Sequence, residues 1–503
     1  MNENELSPIP LHYEMDNGKT VGYKIPYNEN YLGWVLNIEA VLMLLPCAVS
    51  LIYGDGMLPY FLVTMVICTV IGFMTAHKKP ADTVFYAREG FLTVALTWVM
   101  LSFFGALPFW FSRQIPSLVD AMFETISGFT TTGASILSDV EALSPSLLMW
   151  RSFTHWVGGM GVLVFVLAIL PLAGGGYSMY LMRAESPGPS VGKLTPKVKN
   201  TAKILYLIYL VMTVLQMILL LIGGMPLFDS LATSFGTAGT GGFGIWNDSI
   251  AHYNSYYLQG VITVFMILFG VNFNVYYLLS IRKWKEALQC DEARVYFGII
   301  ACSILVITIN IRAMFPTLFD AFHHAAFQVG TIITTTGFST VDFDQWPELS
   351  KTILVGLMLV GACAGSTGGG MKVSRLIIWF KETRKEIASL LHPRSVKVLK
   401  TEGKVIEPSV VSSVNAYFIT YFFLYAASVL IVSLDNFDFT SNFTAVAATL
   451  NNIGPGLGAV GPTCNFGGFS ILSKLVLMFD MLAGRLELFP MLLLFSPSTW
   501  KKI

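Results

Sequence analysis

The chain has 503 residues, of which 54% are hydrophobic and only 12% are charged, and its mean hydropathy is +0.64. This composition excludes an ordinary soluble protein and predicts a helical protein that crosses a membrane several times. The formal net charge is zero, and we expect no nucleic-acid partner. The six cysteines are scattered without CxxC spacing, so the sequence predicts neither disulfide bonds nor a metal-binding cluster.

The N-terminal part of the chain is predicted to form a tail and a helical hairpin. Residues 1–33 are polar and lack a signal-peptide pattern, so we expect a cytoplasmic tail. Hydrophobic runs near 34–53 and 57–76 are separated only by a short turn that contains glycine and aspartate. Two such runs predict a transmembrane hairpin, which we assign to residues 34–90.

The rest of the chain contains one unit four times: a long hydrophobic span, a shorter half-apolar segment, a Thr- and Gly-rich run, and a second span. We assign these units to residues 91–175, 176–290, 291–404 and 405–503. Each short segment begins near an aspartate, namely Asp120, Asp229, Asp320 or Asp438. An aspartate in this place is predicted to cap a re-entrant helix of about three turns, which is too short to cross the bilayer.

The runs that end the short segments carry the strongest functional signal. They are Thr130-Thr131-Thr132-Gly133-Ala134, Gly239-Thr240-Gly241-Gly242-Phe243, Thr334-Thr335-Thr336-Gly337-Phe338 and Asn451-Asn452-Ile453-Gly454-Pro455. Glycine lets the backbone turn its carbonyl oxygens towards a common axis, and threonine adds hydroxyl oxygens. A single copy would be explained by a tight turn or a packing position, whereas four copies favour a repeated cation-binding pore.

The repeats predict a pore inside a membrane bundle, because irregular backbone at membrane depth survives only where protein buries it or a water-filled pathway solvates it. The predicted fold is therefore an all-α polytopic membrane protein. Its four units of span, pore helix, filter segment and span surround one pore and follow a two-helix hairpin. Most of the 31 basic residues fall in segments on the same side as the N-terminal tail, which predicts that both termini are cytoplasmic.

Further motifs make a resemblance to a known family specific. Together with the Thr-Thr-Thr-Gly runs they are His155-Trp156-Val157-Gly158-Gly159-Met160-Gly161, Gly365-Ser366-Thr367-Gly368-Gly369-Gly370-Met371-Lys372 and Asn451-Asn452-Ile453-Gly454-Pro455-Gly456-Leu457-Gly458. These motifs resemble the Trk/Ktr/HKT superfamily of cation transporters, and the additional N-terminal hairpin is similar to its TrkH/TrkG branch. The resemblance covers nearly the whole chain except the polar tail and the connecting loops.

The resemblance implies potassium uptake across the bacterial inner membrane by a transporter rather than an enzyme. It also implies a homodimer embedded in membrane lipid. Such proteins work with a cytoplasmic TrkA-like subunit of the RCK type, which binds NAD(H) or adenine nucleotides. Because this chain contains no nucleotide-binding motif, we expect any such control to reside in the separate subunit.

The expected potassium filter is formed chiefly by backbone carbonyls of twelve residues. They are Thr131, Thr132, Gly133, Thr240, Gly241, Gly242, Thr335, Thr336, Gly337, Asn452, Ile453 and Gly454. Family members with glycine at the last position of all four segments resemble potassium-permeable forms, whereas serine in the first segment is associated with sodium. The second and fourth segments have fewer hydroxyls, which predicts an asymmetric filter with modest selectivity over sodium. Glu124 in the first pore helix is expected either to attract cations or to buttress the filter.

A run of small residues from Gly361 to Gly370 interrupts the second span of unit three. So many glycines destabilise a continuous helix, by about 1 kcal/mol each relative to alanine. In the family, this segment is an intramembrane loop that blocks the pathway and moves to open it. The expected gate residues are Gly365, Gly368, Gly369, Gly370, Lys372 and Arg485. The alternatives are close helix packing through glycine, a membrane-anchoring role for Lys372 and a pairing of Arg485 with Glu487.

Two other functional classes fit the sequence less well. A proton- or sodium-coupled symporter would need titratable groups along its path, and the predicted spans contain few. A membrane-embedded enzyme would need paired acids or a nucleophile with a base, and a scaffold would not need four filter-like runs. The glycine-rich motif at His155 is expected to serve helix packing.

Overall fold

The computed structural model describes residues 29–76, 87–159, 161, 198–392, 398–401 and 404–500. Most of the predicted tail and residues 162–197, the predicted junction of units one and two, lie outside the described residues. The first helices are α1 (Glu29–Leu42), α2 (Leu44–Tyr53), α3 (Leu58–Ala76), α4 (Ala87–Phe111), α5 (Leu118–Phe129), α6 (Pro145–Gly159), α7 (Val198–Ile222), α8 (Leu227–Gly239), α9 (Tyr256–Phe269) and α10 (Phe273–Ser280). They are followed by α11 (Trp284–Leu288), α12 (Asp291–Ile311), α13 (Leu318–Ile333), α14 (Glu348–Val360), α15 (Val373–Leu391), α16 (Pro408–Val432), α17 (Phe439–Leu450), α18 (Ile471–Arg485), α19 (Phe489–Leu494) and α20 (Pro497–Trp500).

The chain is a multi-pass helical membrane protein, as the composition predicts. Six helical stretches among the described residues are long and apolar enough to cross a membrane, and the bent pair α9 and α10 makes a seventh. Large apolar side chains on the outer helices are exposed, such as those of Met74, Ile222 and Phe423. An apolar exterior of this kind suits contact with lipid.

Four short helices lie between the long ones, one in each predicted unit, and we call them the pore helices. They are α5, α8, α13 and α17, with 12, 13, 16 and 12 residues. Nearly every side chain in their second halves is buried. Their C-terminal ends therefore lie inside the protein, where non-helical backbone is protected from lipid.

The second long segments of units two, three and four are broken, whereas the sequence predicts a break in unit three only. In unit one, α6 ends at Gly159, and in unit two α9 and α10 meet at an angle of 92°. Residues 361–372 separate α14 from α15, and Leu486–Leu488 separates α18 from α19. Leu488 has a φ of 67°, a left-handed conformation that an α-helix does not continue through.

The predicted aspartate caps are correct at two pore helices. Asp438 is the N-cap of α17 and accepts a hydrogen bond from the Ser441 amide at 3.2 Å. The Ser441 hydroxyl also donates to this carboxylate and thereby lowers the pKa of Asp438. At α13, Asp320 completes a capping box with Thr317, which is itself the N-cap.

The other two pore helices begin differently from the prediction. Ser117 caps α5, and α8 begins after Pro226 without a side-chain cap. Because Ser117 already satisfies the first turn of α5, the carboxylate of Asp120 is available to another partner. It forms an ion pair of 2.7 Å with Lys474 on α18, which joins unit four to unit one.

The N-terminal hairpin is fixed to unit one through the turn between α2 and α3. Gly54 has a φ of 62° and ends α2 in the left-handed conformation. The next residue, Asp55, accepts hydrogen bonds from the amide of Met57 at 3.1 Å and from the amide of Ser146 at 3.0 Å. Its carboxylate therefore satisfies an amide in the first turn of α6.

The basic segment 381–404 is largely helical in its first part. Its first part continues α15 as far as Leu391, because this stretch consists largely of strong helix formers. The segment ends in a short antiparallel hairpin of β1 (Lys400–Thr401) and β2 (Lys404–Val405).

Candidate ion pathway

All four pore helices end in the same backbone motif. In α5 the amide of Thr132 donates to the Ser127 carbonyl at 2.8 Å, and the amide of Thr131 donates to the Gly128 carbonyl at 3.1 Å. The first of these bonds, again 2.8 Å long, is repeated by the amides of Gly241, Thr336 and Ile453. This is the Schellman arrangement, which ends a helix and turns the chain sharply.

The residue that makes the turn is left-handed in every copy. Its φ is 57° at Thr131, 55° at Thr240, 58° at Thr335 and 55° at Asn452. A β-branched residue adopts this conformation only where its surroundings impose it, at a cost of about 1–3 kcal/mol. The same turn in four copies, three of them made by a strained threonine, points to a functional rather than a stabilising role.

The glycine that follows each turn also has a positive φ. The values are 78° at Gly133, 71° at Gly242, 88° at Gly337 and 99° at Gly454. Only glycine adopts such backbone without strain. The predicted filter segments therefore share one conformation even where their sequences differ.

These glycines close the four segments into a ring. A Cβ atom built at Gly133 would overlap the carbonyl oxygen of Gly241 in unit two. The corresponding Cβ positions of Gly242, Gly337 and Gly454 meet the carbonyl oxygens of Thr336, Ile453 and Thr132. Each unit thus touches the next one in chain order and the fourth touches the first, so the segments surround one axis.

The ring opens into a vestibule on the side away from residues 361–372. Gly133, Gly242, Gly337 and Gly454 all contribute to it. Its walls come from the segments that follow the filter runs, including Trp246 and the stretch from Gly461 to Phe466. All four predicted filter glycines therefore border a common open space.

The side chains of the filter segments make the ring asymmetric. The hydroxyls of Thr130 and Thr132 lie 2.8 Å apart, and those of Thr334 and Thr336 are separated by the same distance. In unit four, the side-chain amide of Asn452 instead donates to the Thr132 hydroxyl at 2.9 Å. Units one and three therefore share the same pair of threonine hydroxyls, while the filter side chain of unit four forms a hydrogen bond to unit one.

Glu124 lies behind the first filter segment in a buried ion pair. Its Oε1 is 2.5 Å from Nε of Arg151, and both side chains are almost fully buried. The amide of Ile136 and the hydroxyl of Ser135 donate to the same carboxylate at 3.0 and 2.9 Å. Arg151 in turn donates to the Gly244 carbonyl at 2.8 Å. These contacts favour the buttress interpretation of Glu124 over direct attraction of a cation.

Replacing Arg151 by alanine should destabilise the protein strongly. The substitution leaves the Glu124 carboxylate buried without its counter-ion, which typically costs about 3–5 kcal/mol. Thermal unfolding of the purified protein in detergent measures this effect. Lys283→Ala is the matched control, because the pair of Lys283 and Glu286 is half exposed and contributes less than about 1 kcal/mol. Equal melting temperatures for the two variants would contradict the role of Glu124 as a buttress of the filter.

His155 joins the first two filter segments through hydrogen bonds, in addition to the predicted packing role of its motif. Its Nδ1 lies 2.8 Å from the Gly128 carbonyl oxygen, and the amide of Phe243 donates to its Nε2 at 3.3 Å. Because Nε2 accepts, Nδ1 carries the proton and the imidazole is neutral. The packing role is also supported, because α6 approaches α5 so closely that a Cβ atom at Gly158 would overlap the carbonyl oxygen of Phe129.

Residues 361–372 form a non-helical loop against the filter segments of units three and four. The amide of Gly369 donates to the Thr335 hydroxyl at 2.6 Å. A Cβ atom at Gly368 would lie 2.9 Å from the Thr334 carbonyl oxygen, and one at Gly369 would overlap the Asn451 carbonyl. The glycines therefore let the loop approach the end of the ring opposite the vestibule.

The loop is also bonded to the break in unit two. The amide of Cys363 donates to the Gly270 carbonyl at 3.0 Å, and the amide of Phe273 donates to the Gly365 carbonyl at 3.0 Å. Backbone groups left free by the broken helices of two units thus satisfy each other.

Arg485, a residue of unit four, connects the loop with unit one. One guanidinium nitrogen donates to the Thr367 carbonyl at 2.9 Å, and the other donates to the carbonyls of Gly158 and Gly159. Glu487, which the sequence offers as a partner for Arg485, forms an ion pair with Arg375. The positive charge at the end of α18 therefore lies on carbonyl oxygens of the loop and of unit one.

Lys372 lies inside the loop rather than at a membrane surface. Its side chain is 2% exposed and its ammonium donates to the Gly368 carbonyl. Its φ of 73° turns the chain from the loop into α15. This placement opposes the membrane-anchor alternative.

Comparison with known proteins decides the family. A protein-family model described as "TrkH: Cation transport protein" matches residues 58–502 of this chain. The chain belongs to the TrkH family. It is similar to the Trk system potassium uptake protein TrkH of Escherichia coli K12, with 37% identity over 92% of this chain and 96% of the relative. TrkG of the same strain is 32% identical over 94% of this chain and 97% of its own length.

A solved TrkH structure has the same fold. The crystal structure of the potassium transporter TrkH from Vibrio parahaemolyticus superimposes with a TM-score of 0.83 and 34% identity, and the match covers 95% of this chain and 99% of that one. The predicted resemblance and the predicted fold class are confirmed, and the TrkH family contains transport proteins rather than enzymes.

Sequence reasoning missed several buried polar residues of this TrkH-family chain. Arg151 could have been found, because an arginine inside a predicted span is costly unless it is paired. The hydrogen bonds of His155 and of Glu292, a residue of α12, join segments far apart in the chain. No local pattern signals such contacts.

Proposed function

We propose that this chain is the potassium-conducting subunit of a bacterial Trk-type uptake system. The observation that carries the proposal is the ring in which each filter glycine meets a carbonyl of the next unit. A potassium ion in such a ring exchanges its water shell for backbone carbonyl oxygens. The pore helices end at the ring, and the partial negative charge of their C-termini favours a cation there.

The proposed filter consists of the twelve residues predicted from the sequence. Only units one and three share the paired threonine hydroxyls. This asymmetry supports a preference for potassium over sodium that is weaker than in a filter with four identical segments. The ions reach the filter from the vestibule, which the four filter glycines line.

The loop at 361–372 is the proposed gate. It lies against the ring, and its contacts to Thr335 and Arg485 support a blocking position. Its proposed working residues are Gly365, Gly368, Gly369, Gly370, Lys372 and Arg485. The glycines permit close approach to the ring, while the two cations hold carbonyls of the loop and oppose the passage of an ion.

The proposed setting is the bacterial inner membrane, with both termini in the cytoplasm. A homodimer and a TrkA-like RCK subunit that binds NAD(H) or adenine nucleotides complete the proposed system. The names of the relatives, which are Trk system proteins, support a multi-component system, and the distribution of basic residues supports the orientation.

Expression of this chain with a TrkA-like partner should restore growth of a potassium-uptake-deficient bacterium at low potassium. The growth rate and the rate of rubidium uptake measure the function. Gly242→Val is the matched control, because its side chain would overlap the Thr336 carbonyl and close the ring. Failure of the unmodified chain to restore growth, at normal expression and with the partner present, would contradict potassium uptake.

A further inference from the structure

Glu292 accepts hydrogen bonds from the backbone on both sides of the glycine-rich stretch 365–370. It belongs to the first turn of α12 and is 7% exposed. Its Oε1 accepts a hydrogen bond from the amide of Ala364 at 2.7 Å and another from the amide of Ser374 at 3.0 Å. One carboxylate oxygen therefore joins the start of this stretch to the first turn of α15.

The carboxylate is carried by an element that is fixed independently of the loop. α12 is a long span of 21 residues. The fully buried Tyr296, one turn further along α12, donates to the Ile267 carbonyl on α9 at 3.1 Å. A hydrogen-bond acceptor on such a rigid element defines the position of a mobile partner well.

Glu292 also lies near buried positive charge, which suggests a simpler role. Lys372, the last residue of the loop, and Arg375, in the first turn of α15, are both buried. A carboxylate nearby lowers the electrostatic energy of these cations. Charge balance and hydrogen bonding therefore both explain a carboxylate at this position, but they make different demands on the side chain. Charge balance requires a negative charge, whereas the hydrogen bonds require only an acceptor oxygen.

We propose that Glu292 is a positioning residue of the gate. Its hydrogen bonds to the amides of Ala364 and Ser374 hold the loop in its blocking position, and both bonds break when the loop leaves the ring. Because the carboxylate oxygen accepts both bonds only while the loop lies against the ring, they favour the closed state. This inference rests on the proposed function, that is, on potassium conduction controlled by this loop.

The test compares Glu292→Ala with Glu292→Gln in the full chain, reconstituted into proteoliposomes without a regulatory subunit. Alanine removes the acceptor, and we expect basal potassium flux to rise at least roughly tenfold, because two hydrogen bonds are lost from the closed state. Glutamine keeps an acceptor oxygen but removes the charge, and we expect flux within about twofold of the unmodified chain. The ratio of potassium to sodium flux should stay unchanged in both variants, because neither touches the ring.

Ser374→Pro provides a second variant that keeps the carboxylate. Proline removes the amide donor and is tolerated in the first turn of a helix, so we expect a smaller rise in basal flux than for Glu292→Ala. Basal flux equal to that of the unmodified chain in both Glu292→Ala and Ser374→Pro would overturn the proposal. Equal rises in Glu292→Gln and Glu292→Ala would also overturn it, in favour of charge balance.

A different result identifies failure of the proposed function itself. If the unmodified chain and a chain lacking Gly368–Gly370 both carry no potassium, the protein does not conduct and Glu292 positions no gate. If the shortened chain conducts and the Glu292 variants have the same basal flux as the unmodified chain, only the proposed role of Glu292 is refuted.

Discussion

Replacing Gly337 by serine should lower the ratio of potassium to sodium uptake roughly tenfold, which corresponds to about 1.4 kcal/mol of lost discrimination. A Cβ atom at this position would overlap the carbonyl oxygen of Ile453 in the next unit, and its φ of 88° already disfavours any side chain. The Ile453 carbonyl must therefore move away from the ring, and with it one of the oxygens that replace the water shell of the ion. Uptake of rubidium and of sodium in proteoliposomes under equal gradients measures the ratio.

Two matched variants sharpen this test. Gly356→Ser lies on α14 of the same unit, where a Cβ atom would meet no other atom within 4 Å, so both uptake rates should stay unchanged. Gly454→Ser should have a milder effect than Gly337→Ser, because its nearest carbonyl oxygen, that of Thr132, would be 2.8 Å away. An unchanged ratio for Gly337→Ser at normal expression would remove Gly337 from the filter.

The repeat made the pore helices and the filter segments predictable from the sequence. Four aspartates at similar distances before four glycines fixed the register of the units, even where Asn452 and Ile453 replace threonine. The structure gives these divergent segments the same backbone turn. A repeated backbone conformation tolerates different side chains as long as the glycine with positive φ is kept.

The breaks in the second spans were predictable only where glycine marked them. The loop at 361–372 is rich in glycine, whereas the break at Leu486–Leu488 consists of two leucines and a glutamate, all of them ordinary helix formers. Tertiary contacts decide such a break, here the ion pair of Glu487 with Arg375. The partners of Glu292 lie 72 and 82 residues away in the chain, a separation that no local pattern reveals.

Shortening the loop should open the pathway without any regulatory subunit. Deletion of Gly368–Gly370 removes the amide that donates to the Thr335 hydroxyl and the carbonyl that accepts from Lys372. It also removes the close approach to the carbonyls of Thr334 and Asn451. Each lost hydrogen bond is worth about 0.5–1.5 kcal/mol to the closed state, so we expect basal potassium flux in proteoliposomes to rise at least roughly tenfold.

A combined variant shows whether these ions pass through the ring. If the loop is the gate and the ring is the filter, the deletion alone should raise flux and leave the ratio of potassium to sodium unchanged. Addition of Gly337→Ser to the deletion should keep the high flux and lower the ratio, because gate and filter are different parts of one path. Unchanged flux after the deletion, in correctly folded protein, would count against a gate at 361–372. High flux with an unchanged ratio in the combined variant would mean that the ions bypass the segment that contains Gly337.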